Sequence, residues 1–341
     1  MSALQQVLLA AAARAQQIAV AQNTTPFASV YFWSGGFGTK FANPATLPTG
    51  DCNSVAFTSS GNAIAVAHNA TPYVSAYPWS GSGFGTKFAN PGTLPTGIAY
   101  GVAFTSAANA IAVAHDISPA VSAYPWSDSG FGTKFANPAT LPTSSGLGVA
   151  FTSAGDAIAV AHANSPYVSA YPWSGSGFGT KFANPATLLP DDGDGVAFSP
   201  ADDAIAVAHP TTPFISAYPW SGSGFGTKFS NPATLPAGTT GYGVAFSPAG
   251  GVIAVAHDGS PFVSAYPWSG SGFGTKFADP ATLPAGVGYG VAFTKAGDAI
   301  AVAHDGSPFV SAYPWSGSGF GTKFANPTTL PGGTGNDVAF N

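Results

Sequence analysis

Glutamate is absent from this chain of 341 residues, and charge of either sign is scarce: fourteen Asp stand against eight Lys and Arg14, only 7% charged residues together. So thin a basic complement provides no positive patch, which excludes electrostatic binding to nucleic acid. A single cysteine, Cys52, excludes an internal disulfide framework. No apolar run reaches the length needed to span a membrane. What is present is core-forming and rich in turns: 45% hydrophobic and 13% aromatic residues, with 44 Gly and 30 Pro. That balance is far from the composition of a disordered chain and points to an all-β fold.

The sequence repeats. Runs reading Ile-Ala-Val-Ala begin at Ile18, Ile64, Ile111, Ile158, Ile205, Ile253 and Ile300, and seven Trp follow the same rhythm. Within each repeat four strand-like runs are separated by Gly, Ser, Pro, Asn or Asp, the pattern of a four-stranded antiparallel propeller blade. In the sixth repeat the expected strands are A, Val244–Phe246; B, Val252–His257; C, Phe262–Trp268; and D, Phe273–Ala278. Strand B alternates bulky Ile253 and Val255 with small Ala254 and Ala256, so a bulky face of one blade can fill against a small face of the next. Pro267 cannot donate to a ladder, so strand C is predicted to end or bulge there. A lysine recurs on every outermost strand (Lys87 and Lys276 are examples), where charge blocks strand addition by another chain.

The chain opens on a B-like strand at Ile18 and finishes on an A-like strand, Val338–Phe340, so neither end completes a blade alone. The two together complete one. The predicted fold is therefore an all-β, seven-bladed propeller over residues 18–341 in which the N- and C-terminal strands share a blade. Residues 1–17 form a separate N-terminal helix or tail: Leu4, Val7, Leu8 and Ala11 share one helical face, while Ala13-Arg14-Ala15 imitates a signal-peptidase site without the preceding positive charge.

Val244 to Gly250 resembles the strand-and-turn segment of the WD-repeat propellers, and Phe262–Trp268 lies where that family's signature strand would fall. Tyr266-Pro267 replaces the Trp-Asp pair and the Gly-His before strand A is missing, so the family's hydrogen-bonded tetrad is not carried over. The unit Tyr313 to Pro327 and the opening Met1 to Leu9 are similar to repeat proteins of tailed bacteriophages, which implies a virion- or tail-associated, extracellular protein.

The copies differ mainly in two places, the B-to-C loop and the D-to-A linker, as in Gly50–Asn53, Gly97–Tyr100, Ser144–Leu147 and Asp191–Asp194. Antiparallel pairing puts both on one face of the ring. His68, His115, His162, His209, His257 and His304 occupy one repeat position at the end of strand B, with Gln22 in the first copy. Hydrogen bonding to the adjacent turn is their simplest role, ligand contact the alternative; equivalent atoms on neighbouring blades are too far apart for one metal ion. Trp79, Trp126, Trp173, Trp220, Trp268 and Trp315 could stack on a sugar, the alternative to burial between blades. Asp191, Asp192 and Asp194 could hold calcium, although no bidentate Glu follows them. Identical repeats supply one group seven times rather than an unlike catalytic constellation. The expectation from sequence is thus a monomeric, non-enzymatic binding or structural propeller without cofactor or metal. It would engage a protein or glycan on the variable face, with a multivalent lectin as the second reading.

Overall fold

In the computed structural model, which describes residues 16–341, twenty-eight strands form seven four-stranded antiparallel sheets arranged as the blades of a propeller. Blade 1 takes strand B from Gln16–Gln22, C from Ala28–Trp33, D from Phe37–Lys40, and A from the other end of the chain, Gly335–Phe340. Ile18, Ala19 and Val20 pair with Phe340, Ala339 and Val338, which is the predicted closure in register. The expected N-terminal helix falls outside the described residues, except that Gln16 and Gln17 already belong to strand B.

Blades stack as the alternation of strand B requires. Ala254, Ala256 and Ala265 on the small face of blade 6 pack against Ile300, Val302 and Tyr313 on the bulky face of blade 7, all fully buried. Every repeat inserts a Trp at the outer part of this contact: Trp79 stands edge-on to Phe41 of the preceding blade (5.0 Å between centroids) and to Phe57 and Phe84 of its own. Six C-strand tyrosines donate to a carbonyl in the preceding blade's linker, Tyr77 to Thr46 at 2.8 Å. The seventh, Tyr31 at the closure seam, has a buried hydroxyl without a partner.

Three strand boundaries differ from expectation. Strand A of blade 6 starts earlier, at Gly241. Strand C runs Val263–Ser269, straight through Pro267. Pro267 turns its nitrogen toward strand D, where its carbonyl accepts from Gly274, so only one ladder bond is forfeited. Strand D shrinks to Gly272–Phe273 and rejoins strand C only through the Phe277 amide, 2.9 Å from the Ala265 carbonyl. Two glycines dictate this bend: Gly272 has φ +101°, and a Cβ on Gly274 would lie 2.9 Å from the Pro267 ring. The lysines after strand D donate to the residue three positions on, Lys87 to Asn90 and Lys276 to Asp279.

Candidate functional site

The histidines lie fully buried where strand B ends. Nε2 of each meets a strand-C serine hydroxyl, His68 with Ser75 at 3.0 Å and His304 with Ser311 at 2.9 Å, while Gln22 accepts from Ser29 in blade 1. On the other side of the ring, Nδ1 of His68, His115 and His162 meets the hydroxyl of Thr49, Thr96 and Thr143 in the D-to-A linker. The later blades carry Pro190, Ala237 and Ala285 in that part of the linker, and there Nδ1 of His209, His257 and His304 has no partner of hydrogen-bonding geometry. Only a weak pull from the carbonyls of Thr211, Gly259 and Gly306 remains. Ala285 precedes its histidine by the same nineteen residues as Thr49, Thr96 and Thr143. Ala285→Thr is therefore expected to stabilise the protein by about 1 kcal/mol, read as a raised urea midpoint, by satisfying a buried polar atom.

The seven Trp are also interior, between 3% and 8% exposed. Of the tryptophans, Trp126 edges a cavity of about 300 Å³ beside Pro78, Phe88 and Asp128, although the residue itself is only 6% exposed. The variable face leads elsewhere, to the mouth of the central channel.

Strand A of every blade faces the axis, and the channel it encloses begins on the face of the D-to-A linkers and B-to-C loops. Seven residues of four kinds ring this mouth: Asn53, Tyr100, Leu147, Asp194, Tyr242, Tyr289 and Asn336, around a cavity of about 360 Å³. A narrower extension of about 250 Å³ runs deeper between the strands. In six blades the mouth position is a β-bulge, while in the fifth Asp194 directly precedes strand A (Gly195–Phe198), which pairs without a shift. Cys52 pairs with His68 and Ser54 with Ala67, leaving Asn53 between them unpaired, and the same shift skips Tyr100, Leu147, Tyr242, Tyr289 and Asn336. A bulge turns one residue out of the pleat, here toward the axis.

The next position inward is glycine in five blades, because inner strands crowd around the axis: a Cβ on Gly195 would lie 2.4 Å from the Tyr242 carbonyl, and one on Gly148 2.7 Å from that of Asp194. Only Ser54 and Asp337 break this layer, and they are neighbours. The Asp337 carboxylate accepts from the Ser54 hydroxyl (2.9 Å), the Val55 amide (3.0 Å) and its own strand's Val338 amide (2.8 Å), clasping blade 1 to blade 2. Burial raises its pKa to about 6, opposed by those donors.

Asp194 has no such set of donors. Burial, then the charges of Asp192 and Asp191, raise its pKa to about 7. The phenols of Tyr242 and Tyr289, with centroids 5.0 Å apart, are held protonated mainly by burial, as is that of Tyr100. Asn53 and Asn336 spend their amide nitrogens on the carbonyls of Ala99 and Cys52, which leaves their side-chain oxygens as acceptors. The acidic run is thus divided. Asp191 accepts from Thr211, Asp192 from the Asn164 amide, and Asp194 alone joins the channel mouth. Among the described residues no group of three or more His, Cys or Asp side chains is placed to hold a metal ion.

The repeat comparison had marked the right segments, since Asn53, Tyr100, Leu147 and Asp194 each end one of the variable linkers. It missed that only this last residue reaches the axis. A fixed position preceding the repeated Gly-Val-Ala-Phe, filled by Tyr, Asn, Asp and Leu, was the available signal.

No family model and no curated protein matches the chain, so the WD-repeat and phage resemblances rest on their motifs alone. Solved structures do match in fold. A candidate 6-phosphogluconolactonase from Bacteroides fragilis is 12% identical with a TM-score of 0.73, over 96% of this chain and 98% of that one. The periplasmic gluconolactonase of Pseudomonas aeruginosa is 14% identical with a TM-score of 0.69, over 95% and 99%. A protein from Lactobacillus plantarum is 14% identical with a TM-score of 0.72, over 96% and 99%. These likenesses correct the expectation of a non-enzymatic binding, structural or lectin-like module: propellers of this same architecture bear the names of lactone hydrolases. The physical error lay in taking repeat symmetry for site symmetry, whereas the seven mouth residues are of four different kinds. Among the described residues no helix is long and apolar enough to cross a membrane.

Proposed function

We propose that the chain hydrolyses a sugar-type lactone at the channel mouth, with Asp194 as general base. The observation that carries this reading is a carboxyl group with a pKa near 7 set among phenols and amides in a concave, axis-centred site. A base works best when its pKa lies close to the operating pH. In the hydrolytic step a water attacks the lactone carbonyl while the Asp194 carboxylate takes its proton. Protonated phenols of Tyr242 and Tyr289 donate to the developing oxyanion. As the intermediate collapses the ring C–O bond breaks, and the proton held by Asp194 passes to the departing alkoxide, leaving an open hydroxy acid. The acceptor oxygens of Asn53 and Asn336 suit the hydroxyls of a sugar acid.

The test is hydrolysis of glucono-1,5-lactone followed with a pH indicator against the spontaneous rate. The wild-type rate is expected to rise with pH through an apparent pKa near 7. Asp194→Asn should lower kcat by about a hundredfold or more, with that rising limb abolished. Turnover no faster than background, or an Asp194→Asn enzyme as fast as wild type, would overturn the assignment.

A further inference from the structure

Aspartates lie on both faces, with Asp128, Asp156, Asp202, Asp203 and Asp298 in the turns of the far one. Besides Asp194 and Asp337 in the channel, the face carrying the mouth holds Asp51, Asp116, Asp191, Asp192, Asp258 and Asp305 in its linkers and B-to-C loops. Among the described residues the opposing charges are remote. Lys40 ends strand D of blade 1 and six lysines follow the short D strands of the other blades at the outer rim, while Lys295 lies in an A-to-B turn on the far face, donating to the Ser59 carbonyl at 2.8 Å. Among the described residues, those that ring the mouth and line the channel include no Lys, Arg or His.

We infer, resting on the lactonase reading of this site, that the mouth selects uncharged lactones and rejects phosphorylated ones, and that the same negative field expels the product. A phosphate monoester brings nearly two negative charges. Entering the channel, it would leave water for a wall of carbonyls and carboxylates with no cation to receive it, and a concave site with low-dielectric walls concentrates that repulsion. An uncharged lactone meets no such barrier. Hydrolysis then changes the sign of the interaction, because ring opening converts a neutral ester into a carboxylic acid that ionises. The substrate enters without repulsion, and the product leaves as an anion from an anionic mouth. Leu147, beside Asp194 in the ring, is the position at which a cation would weaken this preference.

Steady-state hydrolysis of glucono-1,5-lactone and of its 6-phosphate tests the inference at ionic strengths from about 10 mM to about 0.5 M. At low salt the uncharged substrate is expected to have a kcat/KM at least about tenfold higher. Salt should raise kcat/KM for the phosphorylated lactone several-fold while leaving the uncharged one nearly constant, since the Debye length shrinks from about 30 Å at 10 mM to a few ångströms. Leu147→Lys should narrow the preference by lowering KM for the phosphorylated substrate. A phosphorylated lactone that is preferred, or whose kcat/KM falls with salt, would overturn charge selection and leave the hydrolase reading standing. If neither lactone is turned over, the hydrolase reading fails, and calorimetry with gluconate and 6-phosphogluconate still decides selection. Weaker binding of the phosphorylated anion, relieved by salt, supports it; equal or tighter binding, or no binding of either anion at any salt, rejects it.

Discussion

Removing Val338–Asn341 is expected to unfold the whole ring rather than release one strand. The deletion takes the second half of the inner strand of blade 1 and leaves Ile18, Ala19 and Val20 paired only with strand C. It also removes buried Val338 and the Phe340 ring, 5.1 Å from Trp33, each worth roughly 1.5–3 kcal/mol of apolar burial. The Asn341 side chain goes as well, with its bonds to Gln17: the Gln17 amide donates to Oδ1 at 2.8 Å, and the Asn341 amide donates to the Gln17 carbonyl at 3.2 Å. Asp337 remains but loses the Val338 amide that helps hold its carboxylate. The seam can spare little, because Tyr31 lacks the linker bond that its six counterparts make. Total folding stability is about 5–15 kcal/mol, so losses of this size suffice for collapse. Thermal melting by circular dichroism reads the outcome, and a truncated chain that melts with the full-length protein would show that closure does not depend on this strand.

Acid is expected to unfold the protein between pH 6.5 and 4. Burial lowers the pKa of His68, His115, His209, His257 and His304 to about 4, and that of His162 in the same direction. The unfolded chain takes up protons at about 6.5, where the native state refuses them until about 4. Stability is therefore intact above 6.5 and is lost as pH falls through that window, by up to about 3 kcal/mol per histidine. Asp194 and Asp337 act oppositely: with native pKa values of about 7 and 6, they hold protons more tightly when folded and favour the native state as pH falls toward 4. Two carboxyls do not offset six histidines. Urea midpoints measured from pH 7.5 to 4.5 should fall steeply, and replacing the six histidines by glutamine, as blade 1 already does at Gln22, should flatten that dependence. A midpoint unchanged across the window would show that the rings are protonated in the folded state.

Repeat period, strand content, the bulky and small faces that Ile253 and Ala254 present to opposite neighbours, and the sharing of one blade by Ile18–Ala21 and Val338–Phe340 were all legible because each depends on local alternation or on counting strands. The length of strand D was not. Gly272 and Gly274 bend the chain only because the Pro267 ring and the backbone opposite leave room for nothing larger. The site was half legible: variation marked the linkers, but the histidine and tryptophan rings drew attention as conspicuous chemistry, although both are interior.

Sequence by itself determined the number of blades, their order, and the need for the two ends to meet, since hydrogen-bonded strands with a two-residue alternation and one unpaired strand at each end admit this closed arrangement. Only the tertiary structure decided what the symmetry is for. Six bulges, each shaped by pairing with a neighbouring strand, together with the residue just before strand A of blade 5, turn seven side chains onto one axis, and Asp194, distant in sequence from Tyr100 and Asn336, becomes their neighbour around a single mouth. Its perturbed acidity follows from that convergence, because burial and like charge act on a carboxyl group only through what surrounds it in space.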